Sequence, residues 1–276
     1  MRLGHSLHRI GNDLVAVYLV DTPDGVTVID AGLAGQWREF TRELAAMGRS
    51  LADVQGVVLT HGDTDHIGFA ERLRREHGVP VYVHEADGAR ARGEVATKPA
   101  WGRVSVGATA RFLWYALTKN GLKTTPLTEV VTVRDGDVLD LPGAPRVIGM
   151  PGHSPGSIAI HVPIADAVFV GDALTTRHVL TGETGPQPAP FTDDPAGALA
   201  SLRRLDGLGV TWVLPGHGTP WNRGVDEAVR AVERAAAASA STVDKPAVIP
   251  RRNRRRTDLG APNLDIATPS DVKVLR

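Results

Sequence analysis

The sequence predicts an α/β fold, and three observations carry the prediction. The apolar triplet 57–59 is short and uninterrupted, as in strands that helices cover on both faces. A helical spacing over 67–77 and a second apolar strand at 79–83 follow it, so the order is strand, helix, strand. Residues 129–214 then run through four strands, a helix and one more strand.

Residues 15–20 are apolar apart from one Tyr and predict a buried strand. Asp21-Thr22-Pro23-Asp24-Gly25 is a turn, because Pro fixes one φ and Gly permits a positive one. Residues 26–29 are then the return strand of a hairpin, ending at Asp30-Ala31-Gly32. Trp37, Phe40, Leu44 and Met47 share one face of a helix over 36–47. Gly78 stops the helix 67–77. Residues 86–125 break the pattern: they are rich in Ala, Gly and Arg, yet Trp101, Phe112, Trp114 and Tyr115 fall within fifteen residues. This segment is expected to be an insertion, partly helical, serving as a lid or a dimer contact. Strands return at 129–133, 146–150, 158–162 and 168–170. A helix over 195–208 has Pro in its first turn, and a strand at 210–214 precedes an Ala-rich closing helix over 225–240. A catalytic domain over 1–240 is therefore expected, followed by a basic tail or strap over 241–276.

Composition narrows the function. A chain of 276 residues suits one large domain or two small ones, and 42% apolar with 22% charged residues is ordinary for a soluble globular protein. The formal net charge of zero calls for neither nucleic acid nor an anionic membrane. Few aromatics accompany the arginines of 251–256, which favours a solvated tail over a nucleic-acid contact. There is no cysteine, so disulfides, thiolate metal sites and Cys nucleophiles are excluded together. Residues 1–8 have no apolar signal-peptide core, and no apolar run approaches membrane-spanning length. A cytoplasmic protein acting on a small molecule is the expectation.

The chemistry concentrates after residue 58, in Leu59-Thr60-His61-Gly62-Asp63-Thr64-Asp65-His66. Two imidazoles and two carboxylates within six residues, at the mouth of a buried strand, are a dense group of metal-capable donors. Singly, each has a plainer explanation; Asp63 alone would cap the helix that follows. Four further strand ends carry the same residue types. Asp30 follows 26–29, His153 lies in Pro151-Gly152-His153-Ser154-Pro155-Gly156, Asp172 follows Val170-Gly171, and His217 lies in Pro215-Gly216-His217-Gly218. His or Asp at five strand ends makes a constellation at one sheet rim.

These motifs, in this order, resemble those of the metallo-β-lactamase-fold hydrolases over roughly residues 10–235. The resemblance implies a four-layer αββα sandwich with two divalent metals at one edge between the sheets. Carried over residue by residue, His61, Asp63 and His153 would bind the first metal. Asp65, His66 and His217 would bind the second, and Asp172 would bridge both. Asp30 would support the ligands without binding metal itself. The commonest family pattern is His-x-His-x-Asp-His, and here Asp63 stands at the second His. The added carboxylate is a harder ligand, so iron or manganese joins zinc, the default, as an expected metal. The implied chemistry is attack by a metal-bridging hydroxide on an ester, thioester or lactone. Asp65 would orient the nucleophile, and His178 and Tyr115 are candidates to protonate the leaving group. Asp63 also motivates an iron-dependent oxidoreductase of the sulfur dioxygenase kind. A non-catalytic metal-binding regulator is the third reading.

Overall fold

The computed structural model describes residues 1–95 and 102–243. Trp101, the other residues of 96–101, and residues 244–276, which hold most of the expected tail, lie outside the described part.

The first sheet has six strands in sequence order: β1 (Leu7–Gly11), β2 (Ala16–Thr22), β3 (Gly25–Ile29), β4 (Val54–Val58), β5 (Val81–His84) and β6 (Val131–Val133). The first three pair antiparallel, as hairpins require, and β3 to β6 pair in parallel. Helices α1 (Trp37–Ala46) and α2 (Ala70–His77) supply the β3–β4 and β4–β5 crossovers, and the short α3 (Gly88–Ala91) follows β5. Helix α4 (Val106–Thr118) lies within the segment expected to be an insertion. The second sheet contains β7 (Arg146–Gly149), β8 (Ile158–Val162) and β9 (Ala167–Gly171). A two-stranded ribbon, β10 (Thr175–Arg177) with β11 (Thr184–Gln187), and α5 (Pro195–Ser201) come next, before β12 (Trp212–Pro215) and α6 (Val225–Val243). The order in the second sheet is β12-β9-β8-β7, with β12 parallel to β9 and the other pairs antiparallel.

Strand periodicity divides the apolar side chains into three layers. Val17 and Leu19 of β2 face Phe40, Leu44, Phe69 and Leu73 beneath α1 and α2. Ala16, Tyr18 and Val20 of the same strand face the other way, toward Ile158, Ile160, Phe169 and Leu214 of the second sheet. Val168, Val170 and Val213 turn outward onto Leu202, Leu205, Val229 and Val232 beside α5 and α6. Helices, sheet, sheet, helices is the αββα sandwich. Tyr18 meets Phe169 edge-on at 5.4 Å between ring centroids, and its hydroxyl donates to the Pro215 carbonyl at 2.8 Å, tying the sheets together.

Several elements depart from the sequence expectation. The helix expected from residue 67 begins at Ala70, because the preceding backbone is used elsewhere. The Gly68 and Phe69 N–H groups donate to the Gly32 and Ala31 carbonyls at 2.8 and 3.2 Å. The helix over 195–208 ends at Ser201 and tightens into a 3-10 turn over Leu202–Leu205. Strand β1 and the β10–β11 ribbon carry too little apolar pattern to be read from sequence.

Candidate metal centre

Every side chain of the proposed constellation sits just past a strand end on one rim of the sandwich. Asp30 follows β3, and His61 to His66 follow β4. His153, Asp172 and His217 follow β7, β9 and β12. Backbone from the second sheet approaches the loop after β4 closely here. Gly216 allows it: a Cβ there would lie 2.5 Å from His66 Cε1 and 2.7 Å from Asp172 Oδ1. Gly171 adopts φ +50°, and a Cβ would strike Thr60 Oγ1 at 2.3 Å.

The seven side chains converge. Donor atoms of His61, Asp63 and His153 lie within 4.8 Å of one another, as do those of Asp65, His66 and His217, and those of His61, His66 and Asp172. Asp63 Oδ2 is 3.4 Å from His153 Nε2 and 3.6 Å from His61 Nε2. Asp172 Oδ2 is 3.2 Å from His217 Nε2 and 3.7 Å from His153 Nε2, while its Oδ1 is 3.7 Å from His66 Nε2. Asp65 Oδ2 is 3.4 Å from His217 Nε2. Ligands at metal–nitrogen bond lengths in a tetrahedron stand about 3.4 Å apart, so the spacing suits metal ions.

Each imidazole is held by its other nitrogen. His66 Nδ1 pairs with Asp30 Oδ2 at 2.9 Å, His153 Nδ1 with Thr192 Oγ1 at 3.2 Å, and His61 Nδ1 with Thr60 Oγ1 at 3.1 Å. His217 Nδ1 bonds the Leu14 carbonyl. Asp30, itself at φ +59°, also accepts from the Thr60 N–H at 2.8 Å and from its hydroxyl, so one carboxylate orders both ends of the 60–66 loop. What remains is a set of buried atoms with no hydrogen-bond partner among the described residues: Nε2 of His61, His66 and His153, and Oδ1 of Asp172. Orphaned buried donors and acceptors are costly, and divalent ions would satisfy all four. The chemistry and burial of the donor set therefore fit the implied metals.

Charge follows the same geometry. Burial alone would raise the Asp172 carboxyl, but His217, His66 and His153 hold it well below the usual carboxylate range. Burial would also raise Asp63, which His153, His61 and Arg90 outweigh. His66 moves against its burial, raised to about 10 by Asp30, Asp172 and Asp65. His217 is raised to about 9 by Asp172 and Asp65.

The two expected proton donors fall in different places. His178 lines a largely apolar cavity of about 460 Å³ with Ala173, Phe191, Thr192 and Leu199, beside Asp172. Its Nδ1 accepts from the Thr181 N–H at 3.2 Å. Burial, with Arg103 and His217 nearby, pushes this imidazole below its ordinary value against the pull of Glu183. The Tyr115 hydroxyl instead accepts from Gln36 Nε2 at 3.4 Å, and burial pushes its phenol upward. From the same helix it is Phe112 that reaches the cluster, its ring 6.1 Å from that of His217 and perpendicular to it. Helix α4 is fastened by Arg111 to Asp13, Lys119 to Glu39, and the Ser105 N–H to the Leu180 carbonyl. Its outward residues Val106, Leu113, Trp114 and Leu117 remain exposed.

Two residues that sequence reasoning missed organise the centre from below. Asp87 is fully buried. Its Oδ2 accepts from the Gly62 N–H at 2.8 Å and the Ser154 hydroxyl at 2.7 Å, and its Oδ1 from the Gly156 N–H at 2.7 Å. It thus joins the loop of His61 to the loop of His153. Arg90 grips the Asp63 carboxylate with two donors, Nε at 2.5 Å and Nη2 at 3.2 Å. Both lie at the start of the segment expected to be an insertion, in a stretch whose composition carries no motif.

Comparison with known proteins agrees with this geometry. The family description "Metallo-beta-lactamase superfamily" matches residues 10–217. A Bacillus subtilis protein described as probable metallo-hydrolase YflN is 27% identical over 225 residues, covering 78% of this chain and 84% of its own. Among solved structures, the metallo-beta-lactamase family protein TTHA1429 of Thermus thermophilus shares 24% identity and a TM-score of 0.63, over 87% of this chain and 84% of that one. TTHA1623, solved in a di-iron-bound form, shares 28% identity and a TM-score of 0.55, over 82% of this chain and 97% of that one.

Proposed function

Because the chain belongs to the metallo-beta-lactamase superfamily, we propose that it is a metal-dependent hydrolase of a small ester, thioester or lactone. The observation that carries this reading is the set of inward, unpartnered Nε2 atoms and the Asp172 oxygen at an open rim. His61, Asp63 and His153 would hold one divalent ion, Asp65, His66 and His217 the other, with Asp172 between them. Such ions, when bound, bring the pKa of water near neutrality and polarise a carbonyl oxygen. The protein's own contribution is orientation. Asp30 fixes the His66 ring, Asp65 would orient the attacking water, and Phe112 walls the mouth with Leu33, Leu122 and Phe191. His178 sits where it can meet a substrate group lodged in the apolar cavity beside Asp172.

The test is a panel of aryl ester, thioester and lactone substrates given to the metal-loaded protein. Turnover should be abolished by chelator and by His66→Ala. No turnover of any of them by protein with full metal content overturns the reading.

Asp63 favours a second reading, an iron-dependent oxidoreductase, since a carboxylate at that position hardens the ligand set and TTHA1623 was solved with two irons. Metal analysis of protein purified without added metal separates the two: stoichiometric zinc without iron rejects the oxidoreductase.

A further inference from the structure

The carboxylate at position 63 creates two physical problems. An Asp side chain is shorter than His, so it needs to be steered to reach a metal. It also adds a negative charge to a cluster that already holds Asp65 and Asp172. We propose that Arg90 solves both: it is the positioning residue that makes Asp63 usable as a metal ligand. This rests on the metal-site reading above and goes beyond it by assigning a role to a residue outside the ligand motifs.

The geometry is specific. Arg90 extends from α3, and its guanidinium side chain is only 8% exposed. Nε and Nη2 take the two Asp63 oxygens in a fork, at 2.5 and 3.2 Å. A planar guanidinium offers this paired grip and an ammonium does not. The grip fixes the plane of the carboxylate, and the oxygen so presented, Oδ2, is the one 3.4 Å from His153 Nε2 and 3.6 Å from His61 Nε2.

The third nitrogen carries the link onward. Arg90 Nη1 donates to Asp193 Oδ2 at 2.7 Å. The Asp193 N–H in turn donates to the carbonyl of His153 at 3.1 Å. The chain Asp63, Arg90, Asp193, His153 therefore closes a loop through two residues of the same proposed metal triad. The fixed positive charge of Arg90 offsets the charge that Asp63 introduces. With all three guanidinium nitrogens engaged, the arrangement argues against Arg90 as a docking point for a substrate anion.

The experiment is metal titration by calorimetry, with metal per chain counted by elemental analysis, on four variants and the parent. Arg90→Met should weaken one of the two sites by about 10–100-fold, the usual effect of losing a group that orients a ligand, and leave the other intact. Arg90→Lys keeps the charge without the fork and should fall between. Asp193→Asn, an exposed and mild change, should give a smaller loss at the same site. The decisive variant is Asp63→His with Arg90→Met: an imidazole needs no counter-charge, so metal binding should recover relative to Arg90→Met alone. Unchanged titration in Arg90→Met overturns the proposal. So does a double variant as metal-poor as Arg90→Met, which would make Arg90 a purely structural tie. If Arg90→Met fails to fold, Arg90→Lys and Asp193→Asn decide, and parent-like titration in both overturns it. A parent protein that binds no metal sinks the metal-site reading itself, a result distinct from all of these.

Discussion

The Asp87 carboxylate shows how a residue outside the ligand set can join the loops that carry it. All three groups that point at it are donors: two backbone N–H groups and one hydroxyl, from two different loops. Replacing Asp87 by Asn keeps one acceptor oxygen but sets an amide N–H₂ against the donor on the other side, so even the near-isosteric change should be harmful. We expect Asp87→Asn or Asp87→Ala to lose about 2–4 kcal/mol of unfolding free energy in urea, because buried N–H groups are left without acceptors. A loss under about 0.5 kcal/mol for Asp87→Asn would show that the loops are held by other contacts. Asp87 and Arg90 were illegible in the sequence for a physical reason. Their partners are 25 to 103 residues away, and their own neighbours are Ala, Gly and Arg in no periodic arrangement. His61, His153, Asp172 and His217 were legible because each is a polar group set beside Gly after an apolar strand, and His66 because it closes a dense run of metal-capable side chains. The role of Phe112 fell between these cases. Its aromatic cluster was visible, but which ring turns inward depends on the rotation of α4, and helical spacing alone does not place Phe112 over His217 and Tyr115 over Gln36.

At the scale of elements, attachment is by ionic fasteners as well as by apolar faces, and one of them gives a pH signature. Glu71 on α2 accepts two bonds from Arg74 at 2.9 Å each, and one from the Thr128 hydroxyl at 2.9 Å, joining the helix to the approach to β6. Arg74, with Thr128, holds its carboxyl below the ordinary value of 4.5 against a modest opposing effect of burial. A carboxylate depressed in the folded state stabilises above its unfolded pKa, and that stability drains away as pH falls through the folded value. Glu71→Gln should therefore cost about 1 kcal/mol at neutral pH, a figure kept small because Gln retains one acceptor oxygen for Arg74 and Thr128. Relative to the parent, the deficit should shrink as pH falls below the ordinary value of 4.5 and be lost once the carboxylate is protonated in the folded state as well. Paired denaturation curves across that range check it; a deficit independent of pH would assign the effect to packing. The principal strands and helices were legible because their apolar period is strong. Their ends were not, since α2 starts late only because Gly68 and Phe69 give their N–H groups to the Ala31-Gly32 backbone, a tertiary contact that local spacing cannot report.

At the scale of the whole molecule, the apolar pattern reports the layers and the polar pattern reports where they meet. Both faces of β2, β3 and β9 are buried, which is why those strands read as continuous apolar runs and why two sheets must each carry helices outside. The centre draws on both sheets: His61, Asp63, Asp65 and His66 follow β4 of the first, and His153, Asp172 and His217 follow strands of the second. Metal held by this set would bridge the two halves of the sandwich, so its binding free energy should appear as folding stability. At free metal a thousandfold above Kd the linkage adds about 4 kcal/mol, which for a domain of this size raises Tm by about 8–16 °C. Stripping the protein with chelator and following unfolding by calorimetry should reveal that drop, and restored metal should reverse it. His66→Ala protein should show a smaller metal-dependent shift, because one of the ligands spanning the halves is gone. If verified removal of metal leaves Tm unchanged, the orphaned nitrogens at the rim are not a metal site of the folded protein, and their convergence has to be explained by some other ligand.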